Sequence, residues 1–480
     1  MATAASKSFG KLMGMYLQDP LLPELHGNWL FLGEEDFLEG TGTSKIFVRD
    51  SSLTDFPLYP GLDWAHQPDI SFQYFARTGT LNSPQFHQVN AFAVAGHTLA
   101  FVEREWGRSI SWRSGGPLII RPHAFAGLNS FYDPRSNSLN FGYLVSPLQG
   151  LTIWTCLSHD LVAHELGHAL LHTFRPLYAS ATDSDTAALN ESLCDLLAMF
   201  SALEHPEVVE YLYRETKGDI RRPNLVSEFG AAVGHGTSVK PTPFIRSALA
   251  GPPYHPSFPL EIHARSAIWT SAIYEIVAQL VDSQKPTGTG FSSAVVEASK
   301  WVTGMIFRTF HYMPPTNLTM RMFSRLLYEA DARVFPADSL FRDIAKSIFE
   351  KRNLWDPRLV FTAPPIGNEV EKVAHDRPEA LARVVMAHAH DLRIPLGVGA
   401  RLLTPQLITT NRRVDKVRNE QGNVVTKPVT EHYLTYIYEV MSPVWLQGGM
   451  VMMPVYRGGT LALDENWNAV LLATYPEVTA

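Results

Sequence analysis

The sequence predicts an α+β protein, because its hydrophobic patterns change character twice along the chain. Strand-like runs dominate residues 1–150, helical periodicity dominates residues 151–355, and strand-like runs return in residues 356–480. A chain of 480 residues also exceeds one compact core, since domains usually contain about 100–200 residues. We therefore expect a β-rich N-terminal lobe with one long helix, a helical lobe, and a smaller α+β domain of unknown role.

The individual elements follow from local patterns. The N-terminal region contains the apolar runs NWLFLG, KIFVRD, GPLIIRPH and SLNFGYLV, with the turn-rich YDPRSNS between the last two. A helix is predicted over residues 90–108, where apolar residues recur at helical spacing: Ala91, Val94, Leu99, Val102 and Trp106. The C-terminal region contains the helix-like RPEALARVVMAHAHDL and the strand-like HYLTYIYEV, GGMVMMPVYRGG and WNAVLLATY.

Composition limits the classes of partner. The net charge of −7 and the isoelectric point near 6.2 predict no nucleic-acid partner. No run of about 18 apolar residues is present, so neither a membrane-spanning helix nor a membrane partner is expected. Only Cys156 and Cys194 are present, which favours a reducing compartment over a disulfide framework. The N-terminus lacks the apolar segment of a signal peptide, which favours the cytoplasm and leaves secretion from a longer precursor open.

The segment HELGH, residues 164–168, is the strongest chemical signal in the sequence. Residues four apart on an α-helix project from one face, so His164 and His168 can bind a single metal ion. Glu165 lies beside that pair, where its carboxylate can take a proton from water without binding the metal. Chance would place this motif in a chain of this composition only about 0.03 times. We therefore predict a zinc site on a helix.

A catalytic zinc needs a third protein ligand. The extended motif HExxHxxGxxH is excluded, because Leu171 and Phe174 occupy its glycine and last histidine. Glu191, in NESLCD, follows far enough along the chain to return on a second helix, and Asp195 lies one turn beyond it. A carboxylate placed like Asp195 can accept the spare ring N–H of a ligand histidine.

Four residues near these motifs are not expected to bind the metal. His159 and His172 are expected to flank the ligand set. Cys194 is expected to pack as a small apolar residue, and Asp160 to be a charge at the start of the helix.

The two segments HDLVAHELGHAL and LNESLCDLLA together resemble the gluzincin metallopeptidases, in the thermolysin-like and fungalysin-like group with the pattern HExxH and NExxxD. The resemblance implies a two-lobed thermolysin-like fold and one catalytic Zn²⁺. His164, His168 and Glu191 would bind the zinc, Glu165 would be the general base, and Asp195 would support a ligand histidine. The implied activity is hydrolysis of peptide bonds in a peptide or protein substrate by a metal-activated water.

Weaker segment similarities imply further site residues. EIHARSAIWTSAIYEI corresponds to the segment with the oxyanion-stabilising histidine, and PFIRSALAGP to the one with an arginine that binds the peptide carbonyl. HTFRPLY corresponds to an oxyanion-side tyrosine, and GLNSFYDPRSNSLNFGYL to the edge strand that holds the substrate backbone. The resemblance thus adds His263, Arg246 and Tyr178 as catalytic residues, and Asn129 and Ser130 as substrate contacts.

The sequence also departs from this family. Glu261 is the single acidic residue shortly before His263, and Ser266-Ala267 replaces the usual serine-glycine pair. The acidic cluster that binds structural calcium is largely missing, so calcium is not expected, and no propeptide is recognisable. Two alternatives to a general peptidase therefore stay open. One is a specialised intracellular gluzincin that acts on a modified peptide or a non-peptide amide, and the other is a zinc-stabilised binding protein without turnover.

Overall fold

The computed structural model describes residues 11–31, 40–77, 79–146, 148, 150–180, 183–237, 244–284, 290–396, 399–418, 424–446 and 449–475. The first ten residues, half of the segment considered for a signal peptide, lie outside these ranges. The described chain is a mixed α+β protein, as the sequence predicts. Within it, no helix combines the length and the apolar character that crossing a membrane requires.

The N-terminal region contains a five-stranded sheet with parallel and antiparallel pairs. Its strands are β3 (Ile46–Val48), β4 (Leu118–Ala126), β5 (Ser130–Asp133), β6 (Ser138–Val145) and β7 (Thr152–Trp154). The order is β3-β4-β6-β5, with β7 also paired to β6. The β3–β4 and β4–β6 pairs are parallel, and β5 is antiparallel to β6. Among the described strands, β5 pairs only with β6, so it forms an edge of this sheet.

A long central helix supports the sheet and the N-terminal hairpin of β1 (Lys11–Tyr16) and β2 (His26–Phe31). After the short α1 (Phe72–Ala76), helix α2 spans Pro84–Trp106, so it begins before the helix predicted over residues 90–108 and ends two residues earlier. Ser83 accepts a hydrogen bond from the Phe86 amide, and Gly107 ends the helix with φ of 74°. Most side chains of α2 are buried, which explains why its amphipathic pattern is weak.

The middle of the chain is helical, as predicted. Its helices are α3 (His159–Phe174), α4 (Ser184–Ala202), α5 (Pro206–Thr216), α6 (Ala231–Thr237), α7 (Ile262–Gln284), α8 (Phe291–Tyr312), α9 (Met320–Val334) and α10 (Leu340–Lys351). Two short strands, β8 (Glu228–Phe229) and β9 (Arg246–Ser247), pair antiparallel between α5 and α7. Helix α3 contacts α2, α4 and the edge strand β5.

Helices α3 and α4 approach each other closely at a glycine. A Cβ atom on Gly167 would lie 2.8 Å from the Sγ of Cys194 and 3.0 Å from its Cα. Both cysteines of the chain are free and fully buried, Cys194 in α4 and Cys156 in the turn that precedes α3. The small residues at this crossing therefore set the distance between the two helices that carry the predicted metal ligands.

The C-terminal region has a hydrophobic cluster of its own, which includes Ile366, Leu434 and Leu472. It contains α11 (Gly367–Lys372), α12 (Pro378–Ala387) and the antiparallel strands β10 (Arg401–Leu402), β11 (Gln406–Arg418), β12 (Val424–Leu446), β13 (Gly449–Leu463) and β14 (Ala469–Tyr475). The sheet packs against α8, where Arg308 and Tyr312 contact the buried Glu431 at 2.8 and 3.0 Å. This buried polar contact joins the C-terminal sheet to the helical region.

Candidate metal centre

The HELGH segment lies in the middle of α3, and its two histidines project from one face. The ring centroids of His164 and His168 are 4.8 Å apart. His164 is buried and His168 is partly buried. The helical spacing thus brings both imidazoles together, as the sequence predicts.

Helix α4 brings Glu191 to the same point. Its Oε2 lies 3.4 Å from Nε2 of His164, and its Oε1 lies 3.5 Å from Nε2 of His168. Two ligands at about 2.0–2.1 Å from a tetrahedral ion are separated by about 3.3 Å. Both separations from Glu191 therefore fit the edges of a zinc coordination shell.

The other ring nitrogens have partners that fix which nitrogen faces Glu191. Nδ1 of His168 lies 3.0 Å from Oδ1 of Asn190, and Nδ1 of His164 lies 2.8 Å from Oδ1 of Asp195. Both acceptors favour a proton on Nδ1, which leaves the Nε2 lone pairs available. The role of Asn190 was missed in the sequence, although it directly precedes the predicted ligand Glu191.

Cys194 is the other metal-binding side chain near the two histidines, and these three residues form a candidate metal-binding group by distance. Its Sγ, however, lies 3.4 Å from Nδ1 of His168, on the ring edge turned away from Glu191. Burial and the nearby carboxylates, Glu191 first, raise the pKa of the Cys194 thiol well above its usual value. A protonated thiol is a poor ligand. Glu191 is therefore the better third ligand.

Asp195 joins His164 to Arg246. The Nε and Nη2 atoms of Arg246 donate to the two carboxylate oxygens of Asp195 at 2.9 and 2.6 Å. Burial acts to raise the pKa of Asp195, but Arg246 and His164 outweigh it and lower that pKa. Burial acts to lower the pKa of His164, but Asp195 and Glu191 raise it to about 10. The carboxylates of Asp195 and Glu191 therefore favour a positive charge at His164, and a bound cation would replace that proton.

Glu165 has two oxygens in different surroundings. Oε1 accepts a hydrogen bond from the Ser130 hydroxyl at 2.8 Å, which fixes the carboxylate. Oε2 is buried and has no hydrogen-bond partner among the residues that the structure describes, and the same holds for Oε2 of Glu191. Oε2 of Glu191 and the two imidazole Nε2 atoms form a donor set that suits a divalent cation, and Oε2 of Glu165 beside them is free to accept a proton.

His263, near the start of α7, also reaches the centre. Its Nε2 lies 3.4 Å from Oε2 of Glu191, and its Nδ1 lies 2.7 Å from Oε1 of Glu261. About half of the His263 side chain is exposed, so it borders the open side of the centre. Glu261 therefore supplies the acidic partner that the sequence left in doubt, because the start of α7 turns both side chains toward each other.

The structure gives the predicted catalytic residue Tyr178 a hydrogen-bond partner outside the predicted site residues, and its catalytic role stays a prediction. This side chain is buried, and its hydroxyl donates a hydrogen bond to the carbonyl of Pro314 at 2.7 Å. The phenol therefore packs between the α3–α4 connection and the segment after α8, and its hydroxyl proton is donated to a backbone carbonyl there. Segment similarity could not reveal this, since the direction of the side chain depends on the turn over Pro176–Ser180.

The two predicted substrate contacts lie at the edge strand. Asn129 is exposed and directly precedes β5, and its carbonyl accepts a hydrogen bond from the Gly142 amide at 2.9 Å. Ser130 is the first residue of β5, and its hydroxyl contacts Glu165. Ser130 thus positions the general-base candidate, a role that its sequence context did not indicate.

Other histidines near the motif have partners of their own. Nδ1 of His172 lies 3.0 Å from the Tyr132 hydroxyl. In the C-terminal region, His388 lies 3.1 Å from Glu369, and the side chain of His390 is exposed. The contact with Tyr132 agrees with the expectation that His172 flanks the ligand set.

Comparison with known proteins adds no assignment, since no family model matches the chain and no curated protein matches its sequence.

Proposed function

We propose that the protein is a zinc-dependent peptidase of the gluzincin type. The observation that carries this proposal is the convergence of His164, His168 and Glu191 around one point beside an unpartnered oxygen of Glu165. These residues come from two helices, and their spacing suits a tetrahedral ion. The sequence resemblance supports the same assignment independently of the geometry.

His164, His168 and Glu191 would hold the zinc. When bound, the ion supplies Lewis acidity that polarises a substrate carbonyl and makes water easier to deprotonate. Glu165 takes the proton of the attacking water with Oε2 and delivers it to the leaving amine, while Ser130 holds Oε1 in place. Proton transfer by a positioned side chain contributes about 10²–10⁴-fold in rate.

Two further residues support this chemistry. His263 borders the open side of the centre, and Glu261 orients its ring, so Nε2 can donate to the oxygen that becomes negative during attack. Arg246 holds Asp195, and Asp195 holds the ring of His164. With Tyr178 committed elsewhere, His263 is the one oxyanion donor in this proposal.

The edge strand provides a place for the substrate. An extended peptide can pair with the free side of β5, as peptides do at exposed sheet edges. Helix α3 contacts both β5 and α4, so it lies between the sheet and the helical region. This placement supports the two-lobed thermolysin-like organisation, which is part of the proposal.

The test is zinc content of purified wild type and of Glu191→Ala. The variant should hold about one zinc per chain fewer than wild type and should lose hydrolysis of a peptide library. Glu210→Ala, in the exposed face of α5, is the matched control and should retain both zinc and hydrolysis. Equal zinc in wild type and Glu191→Ala would contradict the three-ligand centre. Zinc loss without any hydrolysis by wild type would instead support a zinc-stabilised binding protein.

A further inference from the structure

A second group of histidines lies outside the centre described above. His97 comes from α2, His159 is the first residue of α3, and His205 directly precedes α5. One potential ligand nitrogen from each ring lies within 4.8 Å of the others. His159 is fully buried, and the other two are partly buried. Three elements far apart in sequence therefore bring three imidazoles to one point.

These rings lack the hydrogen bonds that buried histidines normally have. Nδ1 of His97, both ring nitrogens of His159 and Nε2 of His205 are buried without a hydrogen-bond partner in the described part of the chain. Buried polar atoms of folded proteins are nearly always paired. Each neutral imidazole has one N–H and one lone pair, so the three rings together offer three lone pairs, which a metal ion would accept.

Another buried pair of histidines shows the contrast. Nδ1 of His87 lies 2.8 Å from Nε2 of His123, and Nε2 of His87 lies 3.1 Å from the Leu81 carbonyl. Nδ1 of His123 lies 2.9 Å from both carboxylate oxygens of Asp50. Every ring nitrogen of that pair has a partner, which makes it a structural network. Cys156 lies nearby, yet burial raises the pKa of its thiol well above its usual value.

We propose that His97, His159 and His205 form a second metal site, for Zn²⁺ or a similar late transition-metal ion. Three neutral imidazoles with a fourth position open to water are a donor set that such ions accept. The site is separate from the first centre, because His159 precedes His164 by five residues and projects about 140° away around the helix axis. The ion would tie α2, the start of α3 and the start of α5 together.

The electrostatic surroundings allow this site. Burial lowers the pKa of His97 to about 3 and that of His205 to about 4, so both rings are neutral and have a free lone pair at neutral pH. Arg104, two turns beyond His97 on α2, is a cation that acts on His97, and it is paired with Glu204, the neighbour of His205. That ion pair offsets the repulsion that Arg104 would exert on a bound metal.

The test counts zinc after the full chain has been loaded with excess Zn²⁺ and freed of unbound metal. A His164→Gln/His168→Gln variant removes the first centre and leaves the second cluster intact. It should still hold about one zinc per chain. Adding His205→Gln should remove that zinc, whereas adding His66→Gln, an exposed histidine, should not.

The outcomes separate the two proposals. A folded His164→Gln/His168→Gln protein that holds no zinc overturns the second site. A zinc that persists after His205→Gln is added overturns it as well. If wild type and the double variant both hold one zinc, and His205→Gln removes it, the second site stands and the first centre fails. Circular dichroism of each variant confirms folding, and the decisive measurement uses a variant whose second cluster is unchanged.

Discussion

At the scale of single residues, the different surroundings of the two carboxylate oxygens of Glu165 determine the expected effect of a change to glutamine. Glu165→Gln keeps the size of the side chain and an oxygen for the Ser130 hydroxyl, but it removes the base at Oε2. Peptide hydrolysis should fall by about 10²–10⁴-fold while zinc content stays at the wild-type level. Hydrolysis rate and elemental analysis check this. A variant with full activity would exclude Glu165 as the base, and Glu210→Gln serves as the exposed control.

Asp195 provides a second prediction at this scale. Asp195→Asn removes the charge that orients His164 and takes away the carboxylate with which the partly buried guanidinium of Arg246 is paired. Loss of such a supporting carboxylate typically weakens metal affinity about 10–100-fold. Competition with a chelator of known affinity measures the change at the first centre. Asp219→Asn, on the surface, should leave the affinity unchanged, and an unchanged affinity in Asp195→Asn would contradict this role.

At the scale of elements, the α3–α4 crossing depends on Gly167. In Gly167→Ala the new methyl group would meet Cys194 at 2.8 Å, and overpacking of this kind costs about 1–3 kcal/mol. Helix propensity returns at most about 1 kcal/mol. We therefore expect a lower free energy of unfolding in urea, together with weaker zinc binding.

Gly304 in α8 is the matched control, because a Cβ atom there meets nothing within 4 Å. Gly304→Ala should raise the free energy of unfolding by about 0.5–1 kcal/mol through helix propensity alone. If both variants change stability in the same direction, the close α3–α4 approach is not the cause.

At the same scale, local sequence patterns predict some features of the fold and of the candidate site and miss others. Periodicity predicts the helix over residues 90–108 and the helix that contains HELGH, because local spacing determines which side chains share a face. The position of Glu191 is predictable because the chain between His168 and Glu191 is long enough to turn and come back as a second helix. The cluster of His97, His159 and His205 is not, since its members come from three elements and no local spacing connects them. The direction of the Tyr178 hydroxyl is not predictable either, because a short turn determines it.

At the scale of the whole molecule, the buried Asp19 makes stability depend on pH. Burial raises its pKa to about 6, although the amides of Leu21 and Ala232 donate to it. The folded chain therefore holds this proton at pH values where the unfolded chain, with an aspartate pKa near 3.9, has lost it. The contribution of Asp19 to stability consequently decreases as pH rises from about 4 to 6.

Asp19→Asn removes this titration. Relative to wild type, its free energy of unfolding should shift in favour of the variant by up to about 3 kcal/mol between pH 4 and pH 7. Urea unfolding at both pH values measures the shift. Asp376→Asn, at an exposed position, should show no such dependence. A pH-independent difference in Asp19→Asn would mean that this carboxylate is already ionised in the folded protein at pH 4.

Chemical labelling of the two free cysteines would measure how often the folded structure opens around each of them. Each thiol is fully buried, Cys194 against Gly167 and Cys156 in the turn before α3, so a thiol reagent reacts only after the surrounding structure separates. The labelling rate of Cys194 then reports separation of α3 from α4, and that of Cys156 reports exposure of the turn before α3. Occupation of the first centre should slow the former more than the latter, so one mass spectrum of the labelled protein would distinguish local opening from global unfolding.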